Sequence, residues 1–419
     1  MNNGNVLKGF GNYFQSEALD GALPLTQNSP QNVPHKLYAE QINGSAFTCP
    51  RQNNHSIWTY RIQPSVVHNE YSLYKTDALF TLEHPARPNQ LRYTSLFNND
   101  KKTLSFSDGL QPIAANKVAR ILTYQVNQTN SQQFFVNHDG EYLIVAQQGT
   151  VTLATELGTL TISPGSIAVI PRGIIFQALG NDCYGYICES LAGRFRLPDL
   201  GPIGANGLAN PNDFVHPNAH YIDKQAVCQV ISLYQNHLWQ KELTFNPLNV
   251  VAWKGNYLPY MYDLTRFNTI NSVSFDHPDP SIFTVLTVPS LVVGAANIDF
   301  VLFPERWVVA EHTFRPPYFH RNCMSEFMGL IYGNYDAKDK GFMPGGFSIH
   351  NAMTAHGPDS QTYNDAISKP LKNTRYENTL AFMFESVKAW DLTQPLTDSD
   401  KKDISYLNCW QDLTNNFHR

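Results

Sequence analysis

Between Tyr142 and Gln177 the apolar residues come in short blocks, Tyr142-Leu-Ile-Val-Ala, Gly149-Thr-Val-Thr-Leu-Ala, Gly158-Thr-Leu-Thr-Ile and Ser166-Ile-Ala-Val-Ile. Turn residues separate them at short intervals, which predicts consecutive strands of a barrel or sandwich. Upstream, His55-Ser-Ile-Trp-Thr-Tyr-Arg-Ile and Ala78-Leu-Phe-Thr-Leu predict further short strands punctuated by Pro, Asn and Gly. From about residue 200 to 254 the pattern changes to Gly-, Pro- and Asn-rich loops, followed by predicted helices over 224–233 and 238–243. Strands resume at Phe283-Thr-Val-Leu-Thr and Trp307-Val-Val-Ala and continue past Phe347, and residues 385–419 read as a mixed tail docked on a neighbouring subunit. The expected fold is mainly β with few short helices.

A chain of 419 residues exceeds what one hydrophobic core usually supports, so two domains are expected, residues 1–265 and 266–419. The content of 25 Phe and 21 Tyr with only 16% charged residues agrees with many strands and few solvent-facing helices. A formal net charge of −5, with scattered basic residues, argues against nucleic acid as a partner. No stretch approaches the roughly 18 uninterrupted apolar residues that cross a bilayer, so a soluble cytoplasmic protein is expected, without a membrane partner. The six cysteines form no Cys-x-x-Cys pair, so neither a disulfide framework nor a thiolate zinc site is indicated.

Two weak copies of one spacing pattern lie along the chain. Val136, His138, Tyr142 and Gly149, then Gly165, Pro171, Gly173 and Phe176, occupy the places of the two motifs of a cupin barrel. In those motifs even spacings on adjacent strands send the ligands into the lumen. This copy keeps the turns and is expected to have lost the metal. In the second copy His320, Asn322, Glu326 and Gly333 are followed by Gly345, Asn351, Met353 and His356. Here the ligands persist while the second motif's turn residues have decayed. The fold class expected is thus a pair of duplicated cupin-like (jelly-roll) barrels, the N-terminal copy metal-free and the C-terminal copy metal-binding.

His320, Glu326 and His356 make a two-histidine, one-carboxylate set, which holds one face of an octahedral metal and leaves the other open. That pattern favours Fe(II), with zinc a lesser rival. Any one of the three taken alone would be an ordinary polar residue of a β domain. His277, Tyr335 and His350 crowd the same region of sequence, and Asn322 stands where the motif has a second histidine, able to contact a substrate oxygen or to serve structure alone.

Longer segments carry a sharper likeness. Gly9-Phe-Gly-Asn-Tyr-Phe-Gln-Ser-Glu-Ala, Trp58-Thr-Tyr-Arg-Ile-Gln-Pro-Ser, Phe275-Asp-His-Pro-Asp-Pro-Ser-Ile, Arg315-Pro-Pro-Tyr-Phe-His-Arg-Asn-Cys-Met-Ser-Glu-Phe-Met-Gly and His356-Gly-Pro-Asp resemble the homogentisate 1,2-dioxygenase family over essentially the whole length. The resemblance implies iron at His320, Glu326 and His356, His277 as the acid–base histidine, and substrate contacts from Tyr335, His350, His356 and Asn322. It further implies cleavage of homogentisate by dioxygen to 4-maleylacetoacetate, in tyrosine and phenylalanine breakdown, by a hexamer built as a dimer of trimers. Ala355, where the family has Pro, departs from the pattern beside a ligand position. The alternatives are a related iron dioxygenase for another hydroquinone such as gentisate, and a metal-free double-barrel binding protein.

Overall fold

The computed structural model describes residues 8–10, 13–25, 27–44, 55–65, 67–75, 77–99, 103–129, 131–199, 209–269, 280–292, 295–309, 311–312, 314–317, 319–335, 341–397 and 399–413. Strands dominate, as the sequence predicts. The first half is built on Ala119–Gln128, Glu141–Gln148, Ser166–Ile170 and the long Phe176–Ser190, paired antiparallel. Along Glu141–Gln148, Leu143 and Val145 enter one core while Tyr142, Ile144 and Ala146 enter another. Both faces of this strand are buried, which explains why its sequence is a continuous apolar run.

The segment predicted as two helices is a β-hairpin, Gln225–Tyr234 paired with His237–Phe245. Cys228 and Val230 join one cluster while Ile231 and Leu233 join another, so burial divides by strand parity. Gln235 and Asn236 form the turn with φ of 47° and 66°, a conformation that hairpin turns demand and that Asn tolerates. Helices among the described residues are few and short, the longest being Ser360–Ser368.

In the N-terminal copy Tyr142 and Phe176 stand where the motif has ligands. Phe135 packs against both at ring-centroid distances of 6.1 and 5.7 Å, and Phe106 closes on Phe135 and Phe176 at 5.2 Å each. Aromatic rings fill the space a metal would need. The motif's turns survive: Gly149, Gly165 and Gly173 adopt φ of 71°, 93° and 84°.

The second half centres on a sheet ordered Thr284–Pro289, Ala296–Phe303, Leu380–Ser386, Ser325–Tyr332, Phe347–His350, Leu91–Tyr93. Its last strand comes from the first half of the chain. The loan is returned by Asp391–Thr393, which pairs with Leu110–Ala115 and Leu82–His84. A shared core seals the junction, where Tyr186 packs 5.0 Å from Phe382 and its hydroxyl donates to the Gly346 carbonyl at 3.0 Å. The first part of the tail packs on its own chain: Trp390, Leu392 and Leu396 are buried in that core.

Candidate metal centre

The Ser325–Tyr332 strand sorts its side chains by parity. Phe327 and Ile331 join the shared core, whereas Met328 and Leu330 join an inner cluster with Val301, Phe342, Ala381 and Met383. Glu326 has the inner parity, so its carboxylate enters the interior of the second half. Register sets His350 beside it on one neighbouring strand, Glu385 on the other, and Asp299 beyond Glu385. One polar row, Asp299, Glu385, Glu326 and His350, therefore crosses this wall of the sheet.

His320 and His356 lie outside the strands, and the backbone brings them together. The His320 N–H donates to the His356 carbonyl at 2.9 Å, and the His356 N–H to the His320 carbonyl at 3.1 Å. His356 Nε2 then lies 2.9 Å from Glu326 Oε2, and His320 Nε2 lies 3.7 Å from Oε1. One potential ligand atom from each of the three residues lies within 4.8 Å of the others. His356 Nδ1 is 2.9 Å from the Thr354 carbonyl, a contact that orients the ring with Nε2 toward the carboxylate. Beside this ligand position the Gln90 side-chain amide donates to the Ala355 carbonyl. Met353, at the motif's glycine place, keeps the left-handed φ of 61°.

Burial opposes ionisation of Glu326, but the imidazoles of His320, His350 and His356 facing its carboxylate outweigh it and hold the carboxyl well below its ordinary pKa. Glu385 moves the other way: burial, then the charges of Glu326 and Asp299, push it up to about 7 against a hydrogen bond from Asn322. The Asn322 amide nitrogen donates to Glu326 Oε1 at 3.1 Å and to Glu385 Oε1 at 2.8 Å. It thus clasps the ligand carboxylate to its neighbour.

His350 stacks on His356 with ring centroids 4.1 Å apart, and its Nδ1 lies 3.7 Å from Glu326 Oε2. Tyr335 sits beyond the far end of the Glu326 strand, its ring 5.8 Å from Phe303 and 6.2 Å from Phe342. His277 lies outside the described residues. Two residues at the site escaped the sequence reading. Glu385 was legible as the lone acid in Leu380-Ala-Phe-Met-Phe-Glu-Ser, but Tyr406, 3.0 Å from His350 Nε2, carries no signal in its own segment.

Two imidazoles and one ionised, buried carboxylate fit a divalent transition metal with open coordination positions. Cys323, between two of them in sequence, is exposed.

Residues 5–264 match the family described as homogentisate 1,2-dioxygenase N-terminal, and residues 265–417 match homogentisate 1,2-dioxygenase C-terminal. The chain belongs to the homogentisate 1,2-dioxygenase family. A homogentisate 1,2-dioxygenase of Legionella pneumophila (strain Corby) is 51% identical over 407 residues, covering 97% of this chain and 98% of that one. A homogentisate 1,2-dioxygenase of Pseudomonas savastanoi pv. phaseolicola (strain 1448A / Race 6) is 50% identical, with 98% and 96% covered. Among solved structures, a cupin 2 conserved barrel domain protein from Leptotrichia buccalis aligns with 73% of this chain and 99% of its own, at 9% identity and a TM-score of 0.29. Among the described residues no helix is long and apolar enough to cross a membrane.

Proposed function

We propose that this member of the homogentisate 1,2-dioxygenase family is an iron(II) enzyme that opens the homogentisate ring with dioxygen to give 4-maleylacetoacetate. The observation that carries the proposal is the convergence of His320, Glu326 and His356 within 4.8 Å on the inner side of the second barrel. Bound there, iron(II) would supply the one-electron chemistry that dioxygen requires.

The chain's own groups do the rest. Glu326 stays ionised because three imidazoles face its carboxylate. Asn322 fixes the direction of that carboxylate, and the Thr354 carbonyl fixes the ring of His356. Tyr335 and His350 contact homogentisate, with His356 close to both ligand and substrate and Asn322 at the margin. His277 takes the proton from the remaining ring hydroxyl as the ring becomes quinone-like, a task suited to an imidazole titrating near neutrality. His277→Asn is expected to depress turnover at unchanged iron content; parallel loss of iron sinks that assignment. Assembly as a hexamer of two trimers and a cytoplasmic location complete the reading, both supported by kinship to the family.

The decisive experiment follows oxygen uptake by the anaerobically iron(II)-loaded protein on addition of homogentisate, beside gentisate. Uptake matched to maleylacetoacetate absorbance with homogentisate alone is the expected result. Uptake with gentisate alone overturns the substrate, and silence with both overturns the enzyme in favour of a binding protein.

A further inference from the structure

The tail of the chain reaches the candidate metal centre through one side chain. Tyr406 is 3% exposed, and its hydroxyl lies 3.0 Å from His350 Nε2. Residues of both halves hold it there. The Arg92 guanidinium lies 4.2 Å from the centre of the Tyr406 ring, and its Nε and Nη2 donate to Asp403 Oδ2 at 2.8 and 2.6 Å. The Asp403 N–H donates to the Arg92 carbonyl at 2.8 Å and the Thr94 N–H to the Lys401 carbonyl at 2.9 Å, tying the tail to the Leu91–Tyr93 strand. On the other side Trp410 packs against Tyr406 at 5.2 Å and donates its indole N–H to the Pro358 carbonyl at 3.0 Å.

The orientation of the imidazole follows from its two neighbours. Nδ1 faces Glu326 Oε2, which as a carboxylate can only accept. A hydrogen on Nδ1 therefore suits that side and leaves Nε2 as an acceptor. Tyr406 is the donor available there, since burial lifts its phenol well above its ordinary pKa and keeps the hydrogen in place. We infer that Tyr406 is a positioning residue: its hydroxyl donates to His350 Nε2 and locks the imidazole as the Nδ1–H tautomer, whose hydrogen faces the Glu326 side of the centre. The consequence for substrate rests on the proposed contact between His350 and homogentisate, but the tautomer itself does not.

The test uses the full-length protein with Tyr406→Phe, which keeps the ring over Arg92 and removes only the hydroxyl. In the metal-free protein labelled with 15N-histidine, His350, assigned by the signal missing from His350→Gln, is expected to show a protonated Nδ1 and a bare Nε2. Tyr406→Phe should give an averaged pair of shifts. Identical shifts in the two proteins, or a protonated Nε2 in the parent, overturn the inference. In the iron(II)-loaded protein Tyr406→Phe should bind its normal complement of iron, while KM for homogentisate rises roughly threefold to tenfold, as expected for one lost neutral hydrogen bond. Loss of iron along with affinity overturns positioning in favour of a merely structural role. A His350→Gln protein with unchanged KM overturns the substrate contact instead, leaving the nitrogen shifts to decide the tautomer.

Discussion

Glu385 offers the sharpest perturbation, because its carboxyl is buried beside that of Glu326 with Asn322 as their shared donor. Replacement by Gln keeps an acceptor for Asn322 and removes the charge. In the metal-free protein Glu385 titrates at about 7 rather than at its ordinary 4.5. A carboxyl raised by folding contributes fully to stability below its unfolded pKa and loses that contribution as pH climbs through the folded value, here from about 4.5 to about 7. At about 1.4 kcal/mol per pH unit across that window, the parent should lose about 2 to 3 kcal/mol between pH 5 and pH 8 that Glu385→Gln does not lose. Urea unfolding of both metal-free proteins at the two pH values measures this directly. The variant should be the more stable at pH 8, and iron(II) should narrow the gap, since the cation opposes the charge of Glu326. A difference that is the same at both pH values, or a variant weaker at pH 8, refutes the account of the row.

Three further outcomes follow from the geometry. Glu326→Ala removes the carboxylate that both ligand histidines face, and should abolish iron binding and oxygen uptake together, measured by metal analysis and an oxygen electrode. Phe176→His restores the motif histidine to the first barrel but should bind no second metal and should cost about 2 to 4 kcal/mol, since Phe106, Phe135 and Tyr142 occupy the space and lose packing; a second equivalent of metal would contradict this. Gly333→Ala combines a φ of 78° with a Cβ only 1.9 Å from the Asn378 carbonyl oxygen, whereas Gly173→Ala has a φ of 84° and open space. Denaturant melts should rank them at about 3 or more and about 1 kcal/mol respectively.

Much of this could be read in the sequence, for identifiable reasons. The apolar blocks from Tyr142 to Gln177 announced strands because each is too short for a helix and is bounded by turn residues. The cupin spacing found both copies because its glycines mark turns that need left-handed backbone, and Gly149, Gly165, Gly173, Gly333 and Gly345 all adopt positive φ. The hairpin at Gln225–Phe245 was misread because its turn, Gln235-Asn236, contains neither Gly nor Pro. Its strand character comes from pairing in parallel with Gln133–Asn137, a partner some ninety residues away, which local propensity cannot register. The site divides in the same way. His320, Glu326 and His356 were visible as a spacing, but the clasp of Asn322 on two carboxylates and the reach of Tyr406 to His350 exist only after distant segments meet.

The exchange of strands between the halves bears on how such a duplicated chain can evolve. Leu91–Tyr93 closes the edge beside His350, and the same strand supplies the arginine that steadies Tyr406. A descendant that shed its inert barrel would expose the unpaired backbone of Phe347–His350 and unmoor the tail in one stroke, with an open strand edge inviting association with other chains. The second half therefore depends on the first for its edge strand and for the arginine packed on Tyr406.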